Sequence, residues 1–221
     1  MQDSTARPSR ETPSGIPEPT LRRLPLYYQY IANLGLGPEA TISCTQIASA
    51  LNLIPIQVRK DLSCTGITGR PKTGYSVGEL EKYIGDFLGW NNESDALIFG
   101  AGHLGMALMA YEGFRQYGLN IIAGVDSDPE KTTQSVKGKK IIPLFKAEAL
   151  IKRLHIKIGI LAVPAEHAQA IADLMTSAGI EAIWNFAPVR INVPEDVIVQ
   201  HENLASSFAV LFKKFRMKQQ S

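Results

Sequence analysis

Residues 96–126 read ALIFGAGHLGMALMAYEGFRQYGLNIIAGVD, and this stretch decides the fold of the second half of the chain. It opens on the apolar run ALIFG and ends on NIIAGVD, two patterns typical of strands that are buried on both faces. Between them, HLGMALMAYEGFRQYG has the apolar spacing of one amphipathic helix, from about 103 to 118. The stretch therefore predicts the strand–helix–strand unit of a parallel sheet.

The glycines after the first strand follow the pattern G-x-G-x-x-G, here Gly100-Ala101-Gly102-His103-Leu104-Gly105. The pattern is weak alone, but here it follows a predicted strand and opens a predicted helix, as a dinucleotide-binding fingerprint requires. Gly100 would permit the tight turn, Gly102 the close approach of a pyrophosphate, and Gly105 the close packing of helix on strand. The whole hexapeptide is a candidate cofactor-binding loop, with the pyrophosphate at the helix N-terminus.

Asp126 ends the second predicted strand and follows Gly105 by 21 positions. A carboxylate there can accept both ribose hydroxyls of an adenosine and would repel a 2′-phosphate, which favours NAD(H) over NADP(H). The structural alternative is an aspartate that only caps the turn before Pro129.

Three further apolar runs, KKIIPLF, IKIGILAVP and EAIWNFAP, alternate with the helical segments AEALIKRL and AEHAQAIADLMTSAG. This alternation predicts a Rossmann-like parallel sheet covered by helices on both faces. Ligands of such sheets bind along the carboxyl edge of the strands. We therefore expect the nicotinamide end of a dinucleotide near Val163, Pro164 and Asn185.

The first half of the chain has a different pattern. Residues 1–19 are polar and rich in proline, which predicts a mobile tail. Helices are predicted over 20–34, after the N-cap Ser43, and from Pro55, followed by two short β-like pieces in TGITGRPKTGYSV and a helix over 77–88. This order is that of a winged helix-turn-helix. The predicted class is α/β with four regions: the tail 1–19, a winged helix 20–90, a nucleotide domain 91–200 and a C-terminal helix 201–217.

Basic residues are concentrated in the third helix and the turn after it, where Arg and Lys can contact guanine edges or phosphates. A solvated helix face beside a surface turn is the competing interpretation. The candidate DNA-contacting residues are Ser43, Thr45, Gln57, Arg59, Lys60, Ser63, Arg70, Lys72, Gly74 and Tyr75.

The segment NLASSFAVLFKKFRMK carries a broad apolar stripe on one predicted helix, formed by Leu204, Phe208, Leu211, Phe212 and Phe215. The stripe could pack on the chain's own sheet or form a dimer element. We favour the dimer, because a winged helix usually binds DNA as a symmetric pair.

Composition excludes several classes of protein. The net charge is +2, and Cys44 and Cys64 stand twenty positions apart without the spacing of a zinc or redox site, so we expect no metal. We expect no signal peptide, no membrane span and a cytoplasmic location. The histidines have no neighbouring residues that would form a catalytic triad or dyad with them. Only about thirty residues follow NFAP, too few for the substrate domain of an ordinary dehydrogenase. The expectation is therefore no catalytic residue and a nucleotide that is sensed, not turned over.

Seven motifs occur in one order between residues 23 and 188, within a similarity that covers residues 23–215: RLPLYYQY, VRKDLS, GRPKTGY, GAGHLG, VDSDP, LAVPA and WNFAP. Together they resemble the Rex family of redox-sensing transcriptional repressors. The resemblance implies a homodimer that binds a palindromic operator in double-stranded DNA, is released by NADH, and lets NAD compete for the same pocket. It also implies DNA contacts from Arg59, Lys60, Ser63, Lys72 and Tyr75, and a C-terminal helix swapped onto the partner from about Asn203.

Two positions depart from the family's pattern. The family commonly has Arg where this chain has Gln29, and Asp where it has Asn203. With a tyrosine that matches Tyr111, these residues are said to couple the nicotinamide state to domain orientation. The resemblance thus gives Gln29, Tyr111, Asn203, Leu204 and Phe208 as coupling and dimer residues, with an amide pair in place of a charge pair. We expect NADH release to persist with altered discrimination between NADH and NAD.

Two alternatives remain at this point. One is a small NAD-dependent oxidoreductase or a CoA-binding protein, since both use the same doubly wound plan. The other is a plain winged-helix repressor whose nucleotide domain only dimerises.

Overall fold

The computed structural model describes residues 15–220, without the side chain of Leu204. The chain divides into two compact units, the first ending at Asn91 and the second beginning at Asn92. Most of the predicted tail lies outside the described residues, and the first helix begins at Glu18, two residues before the predicted start.

The first unit is mainly helical. Its elements are α1 (Glu18–Asn33), β1 (Thr41–Ile42), α2 (Cys44–Leu51), α3 (Pro55–Ser63), β2 (Tyr75–Ser76) and α4 (Val77–Leu88). One apolar core joins all four helices, and its fully buried members include Leu24, Tyr27, Ile31, Ile47, Val58, Leu62, Leu80 and Ile84.

Local sequence explains why the second and third helices form. The hydroxyl of Ser43 accepts a hydrogen bond from the backbone N–H of Gln46, and the Gln46 side chain accepts one from the Ser43 N–H. This capping box starts α2. Asn52 takes the left-handed conformation that ends it, and Pro55 occupies the first turn of α3. The predicted helix-turn-helix order is confirmed.

The segment after α3 differs from the predicted pair of β pieces. Only Tyr75–Ser76 is a strand, and it pairs antiparallel with β1, with Ile42 opposite Tyr75. The turn itself is held by a single bridge between Arg70 and Gly74. Gly74 has φ +93°, and a Cβ there would lie 2.4 Å from the carbonyl oxygen of Ile42. Glycine at position 74 thus lets the backbone pass close to Ile42, so that β2 pairs with β1. The first of the two predicted β pieces does not form a strand.

The second unit contains a seven-stranded sheet and four α-helices. Its strands are β3 (Ser94–Phe99), β4 (Leu119–Asp126), β5 (Ser135–Val136), β6 (Lys139–Pro143), β7 (Ile158–Leu161), β8 (Ala182–Asn185) and β9 (Ile198–His201). Its helices are α5 (His103–Ala110), α6 (Ala147–Leu154), α7 (Ala165–Ala178) and α8 (Leu204–Gln219). The strand order is β5-β6-β4-β3-β7-β8-β9, and every pair except β5–β6 is parallel.

The sheet is covered on both faces, as predicted. Leu97 and Phe99 of β3 pack into one apolar cluster with residues of α6 and α7. Ile98, between them, packs into a second cluster with Met109 of α5. Successive strand residues point to opposite faces, so this alternation places helices on either side of β3.

Several predicted elements need correction. The single helix expected over 103–118 ends at Ala110, and a 3₁₀ helix follows at Glu112–Tyr117. Tyr111 between them is extended, with φ −78° and ψ 106°. Strands β5 and β9 were not predicted. The alternative that α8 packs on its own sheet is not observed, since every described side chain of that helix is exposed.

Among the helices of residues 15–220, none has both the length and the apolar character that a bilayer crossing requires.

Candidate nucleotide cleft and nucleic-acid interface

A cleft of about 560 Å³ opens at the carboxyl ends of β3, β4 and β7, the edge where open parallel sheets bind ligands. Most of the side chains that line it are apolar, and the charged ones are Asp126, Asp128 and Lys131. The residues that line it are Phe99, Gly100, Gly102, Val125, Asp126, Ser127, Asp128, Lys131, Leu144, Ala162, Val163, Pro164, His167, Ala170 and Ile171.

The three fingerprint glycines do different work. Gly100 has φ +97°, and a Cβ there would lie 2.5 Å from the carbonyl oxygen of Ala162. A Cβ at Gly105 would lie 1.9 Å from the carbonyl oxygen of Gly100. Gly102 is the exception, since a Cβ there would meet nothing within 4 Å although the residue lines the cleft. Two glycines are thus needed for packing, while the third leaves room for a ligand.

The N-terminus of α5 faces this room. Gly102 is its N-cap, and no side chain caps the helix there. The first-turn N–H groups of an α-helix have no partner within the helix, and the dipole favours an anion at that end. A pyrophosphate is an anion of the right kind for this position.

The carboxylate of Asp126 ties the cleft together. Its Oδ2 accepts hydrogen bonds from the Ala101 backbone N–H at 2.8 Å and from Lys131 Nζ at 3.1 Å. Its Oδ1 accepts one from the Asp128 backbone N–H at 2.9 Å. Burial raises the pKa of Asp126, but these hydrogen bonds outweigh it and hold the pKa below the usual aspartate value. Asp126 is therefore ionised and fixed at neutral pH.

Lys131 is a cleft residue that the sequence analysis missed. It lies one turn past the strand end, in DSDPEK, and it offsets the negative charge of Asp126. The signal was present as a cation five positions after the fingerprint acid, but spacing alone does not show that the chain turns back. His167, Leu144 and Ile171 were missed for the same reason, because they reach the cleft from other elements.

The other predicted cofactor residues fall into three groups. Val163 and Pro164 line the cleft. His103 and Leu104 are exposed on the first turn of α5. Asn185 is fully buried and does not line the cleft.

The polar atoms of Asn185 are occupied within the fold. Its Nδ2 donates to the Val189 carbonyl at 2.9 Å and lies 2.9 Å from Nδ1 of His201, while its Oδ1 accepts from the Ala187 N–H at 2.9 Å. The amide holds the loop after β8 against β9. A contact between Asn185 and a nicotinamide therefore stays a prediction.

Four aromatic rings lie in a row beside α5. Tyr111 meets Phe114 edge-on with centroids 4.8 Å apart, Phe114 meets Trp184 at 5.5 Å, and Trp184 meets Phe186 at 4.8 Å. Tyr111 is exposed at the end of this row. The row connects the residue where α5 breaks to the loop after β8.

The first unit presents the predicted basic surface. Arg59, Lys60, Arg70 and Lys72 are all exposed, and Lys72 takes a positive φ of 64° at the tip of the turn. A concavity of about 460 Å³ lies between α2, α3 and this turn. Its lining includes Ser43, Cys44, Thr45, Arg59, Arg70, Lys72, Gly74 and Tyr75.

Some candidate DNA-contacting groups are already used inside the protein. Ser43 caps α2, and the hydroxyl of Ser63 donates to the Lys60 carbonyl at 2.6 Å. Tyr75 is largely buried against Gly69, and its pKa is raised by burial first and by the neighbouring Cys44 next. Thr45 is exposed at the start of α2, and Gln57 is half-buried on the flank of α3. DNA contacts from these five groups remain predictions.

A buried ion pair fixes α3 against α1. Arg23 and Tyr27 of α1 both donate to Asp61 of α3, whose side chain is almost fully buried, and the Thr20 hydroxyl donates to it as well. This cluster was not predicted, because nothing in the pattern RKDLS distinguishes a buried aspartate from a solvated one.

The predicted coupling residues lie in different units. Gln29 is exposed on α1, whereas Tyr111 and Asn203 belong to the second unit. The Asn203 side chain accepts a hydrogen bond from the Ser206 N–H at 3.1 Å and so caps α8. Phe208 is exposed on α8, and the side chain of Leu204 lies outside the described part.

Comparison with known families finds two matches in one chain. The family described as "Putative DNA-binding protein N-terminus" matches residues 15–63, and the family described as "CoA binding domain" matches residues 91–189. These ranges fall on the first and the second unit respectively.

Relatives and solved structures agree with these matches. The redox-sensing transcriptional repressor Rex of Treponema denticola is 45% identical over 87% of this chain and 92% of its own, and that of Bacteroides thetaiotaomicron is 40% identical over 92% and 93%. The structure of RSP, in complex with beta-NAD+ and operator DNA, has a TM-score of 0.85 at 31% identity over 92% of this chain and 94% of its own. RSP in complex with beta-NADH has a TM-score of 0.83 at 31% identity, over 92% and 96%. The chain belongs to the Rex family of redox-sensing transcriptional repressors.

Proposed function

We propose that this protein represses transcription by binding operator DNA through its first unit, and that NADH in the cleft of the second unit releases it. The observation that carries the proposal is that one chain contains both a basic helix-turn-helix and a nucleotide cleft. In that cleft the glycine loop 100–105 can bind an anion and lies beside the hydrogen-bonded carboxylate of Asp126. The regions proposed for these roles are 20–90 and 91–200.

The cofactor is NAD(H). Gly102 leaves room for the pyrophosphate, and Asp126 stands where the adenosine ribose of a dinucleotide would lie. RSP, a relative of similar fold, has been crystallised with beta-NAD+ and with beta-NADH. In this proposal NAD competes for the cleft without releasing DNA.

The protein acts as a homodimer. α8 exposes Phe208, Leu211, Phe212 and Phe215 on a helix of 16 residues, with exposed fractions of 62%, 64%, 46% and 53%. A cluster of exposed large apolar side chains on one helix marks an interaction surface. A swapped α8 from 201–217 would cover them, and a symmetric dimer would match a palindromic operator. As a repressor, the protein would act on the chromosome, in the cytoplasm.

The protein is a regulator and not an enzyme in this proposal. Its relatives carry the name of a repressor. Among the charged side chains of the cleft, Lys131 pairs with Asp126 and lies 4.0 Å from Asp128. The family description of residues 91–189 favours one second candidate, in which the effector is coenzyme A. Its adenosine and pyrophosphate would use the same cradle.

A single titration separates these candidates. Purified full-length protein would select a site from a random duplex library, and fluorescence anisotropy on that duplex would follow release by NADH at a fixed level of NAD. Coenzyme A and NADPH would serve as control ligands. Release by NADH alone supports the proposal, and release by coenzyme A alone supports the second candidate. Failure to select any sequence would overturn the repressor function.

A further inference from the structure

We propose that Ile56 at the outer face of α3 reads thymine by packing on its C5-methyl group in the major groove, with Ile54 beside it. The inference rests on the proposed function, because it needs α3 to lie in a major groove. It adds what the basic residues cannot supply, namely a preference for particular A·T pairs.

The geometry of α3 puts Ile56 at the centre of the outward face. Val58, Asp61 and Leu62 are buried and define the inward face. Positions 56, 59, 60 and 63 share the opposite face at helical spacing, and all four are exposed. Ile56 is 63% exposed and lies outside the core, where it lines, with Ile54 and Lys60, a concavity beside Thr20 and Arg23 of α1.

Ile54 extends the apolar surface. It is the N-cap of α3 and is also 63% exposed. Neither isoleucine belongs to the apolar core of the first unit. Two large aliphatic side chains, on either side of Pro55, are thus exposed at the N-terminal turn with which a recognition helix contacts base edges.

The chemistry of the groove indicates the partner. Thymine alone presents a methyl group in the major groove, and apolar side chains contact that methyl. Arg59 and Lys60, on the same face, can hold phosphates or a guanine edge on either side. The basic residues therefore attract α3 to DNA of any sequence, whereas the isoleucines stabilise the complex only where a thymine methyl group packs against them.

The test removes single methyl groups. The duplex selected by this protein would be resynthesised with each thymine replaced in turn by deoxyuridine, which lacks only the C5-methyl. Binding of the wild type and of Ile56→Ala to each duplex would be measured by anisotropy without nucleotide. Loss of one buried methyl contact should weaken wild-type binding about fourfold at each half-site. The Ile56→Ala protein should show no such loss at the same thymines.

Controls keep the outcomes distinct. Leu154→Ala, a half-exposed leucine at the end of α6, should keep the wild-type pattern. Equal deoxyuridine penalties in the wild type and Ile56→Ala, or no penalty at any thymine, would overturn the inference while leaving the selected site intact. A large fall in the melting temperature of Ile56→Ala with an unchanged base pattern would show instead that Ile56 packs on the protein's own chain. Failure of the wild type to select a site would count against the proposed function itself.

Discussion

Arg23 of α1 makes a bidentate ion pair with Asp61 of α3, in which Nε donates to Oδ2 at 2.6 Å and Nη2 donates to Oδ1 at 2.9 Å. The hydroxyls of Tyr27 and Thr20 donate to the same carboxylate at 2.6 and 2.9 Å. The acceptor positions of Asp61 are thus filled, although its side chain is only 4% exposed. This cluster fixes the buried side of α3 against α1, while Ile56 and Lys60 on the same helix are exposed.

Arg23→Ala should destabilise the first unit, because it leaves a buried carboxylate without its cation. The expected loss is about 3 kcal/mol in the free energy of unfolding. Urea unfolding of Trp184→Phe protein would measure it, since Trp90 then reports on the first unit alone. Arg22→Ala is the matched control, because within residues 15–220 Arg22 pairs only with the exposed Glu18, and its loss should cost under about 1 kcal/mol. Equal losses in the two variants would contradict the prediction.

Acid should weaken the same unit. Burial raises the pKa of Asp61, but the hydrogen bonds from Arg23, Tyr27 and Thr20 lower it by more than burial raises it. The folded-state pKa of Asp61 therefore lies below the usual value. A depressed pKa gives stability that is full above the unfolded value of about 4 and is lost as pH falls through the folded value. Trp90 fluorescence should therefore show a free energy of unfolding that falls below about pH 4. Asp61→Asn should be less stable at pH 7 but flatter in this range, and parallel curves would refute the assignment.

Short-range signals predicted much of this fold. Ser43 and Pro55 start α2 and α3 as expected, and the predicted bounds of α4 match because Ser76 caps it and Gly89 ends it. The apolar strands of the second unit were also found, since a parallel sheet buried on both faces leaves an unbroken apolar run.

The errors come from contacts that sequence spacing does not contain. α5 ends early because the ring of Tyr111 folds over Gly113, where a Cβ would lie 2.5 Å from it, and because Lys139 donates to the Met109 carbonyl. β9 is an edge strand with alternating half-buried and exposed residues, so it shows no apolar run. Local sequence pattern does not show which way a polar side chain faces. For this reason Lys131, which turns back to Asp126, was not predicted as a cleft residue, and Asn185, which hydrogen-bonds within the fold, was predicted as one.

The fingerprint glycines should separate ligand binding from folding. Gly102→Ala places a methyl group in open space within the cleft, so it should keep the wild-type melting temperature and weaken NADH binding by about tenfold or more. Gly105→Ala would drive a methyl group into the Gly100 carbonyl, and it should lower stability by about 3 kcal/mol. Calorimetric titration with NADH and thermal unfolding measure the two effects. Loss of stability in Gly102→Ala would show that this glycine too is needed for packing.

Lys131 should moderate the choice between NADH and NADPH. Its ammonium group pairs with Asp126 and reduces the negative charge that a 2′-phosphate would meet. Lys131→Met should therefore raise the preference for NADH over NADPH, by about fivefold for a partly exposed charge. Calorimetric titration with both nucleotides gives the ratio, and Lys82→Met, an exposed cation of the first unit, is the control. A falling ratio would mean that Lys131 contacts the ribose directly.

Gln29 and Asn203, the two positions at which this chain has amides where the family commonly has charged residues, should set how sharply NADH is distinguished from NAD. Asn203 caps α8 through the Ser206 N–H, so Asn203→Asp keeps the cap and adds a charge that suits a helix N-terminus. Gln29 is exposed on α1, where an arginine fits without disturbing the core. Charge-assisted hydrogen bonds are about twice as strong as neutral ones, so Gln29→Arg with Asn203→Asp should change the ratio of NADH to NAD at half-release by about fivefold. The anisotropy titration measures this ratio, and each single variant should move it less than the pair. If the double variant leaves the ratio unchanged, coupling does not depend on these residues and must pass through other contacts, among which the row of rings from Tyr111 to Phe186 is the first to test.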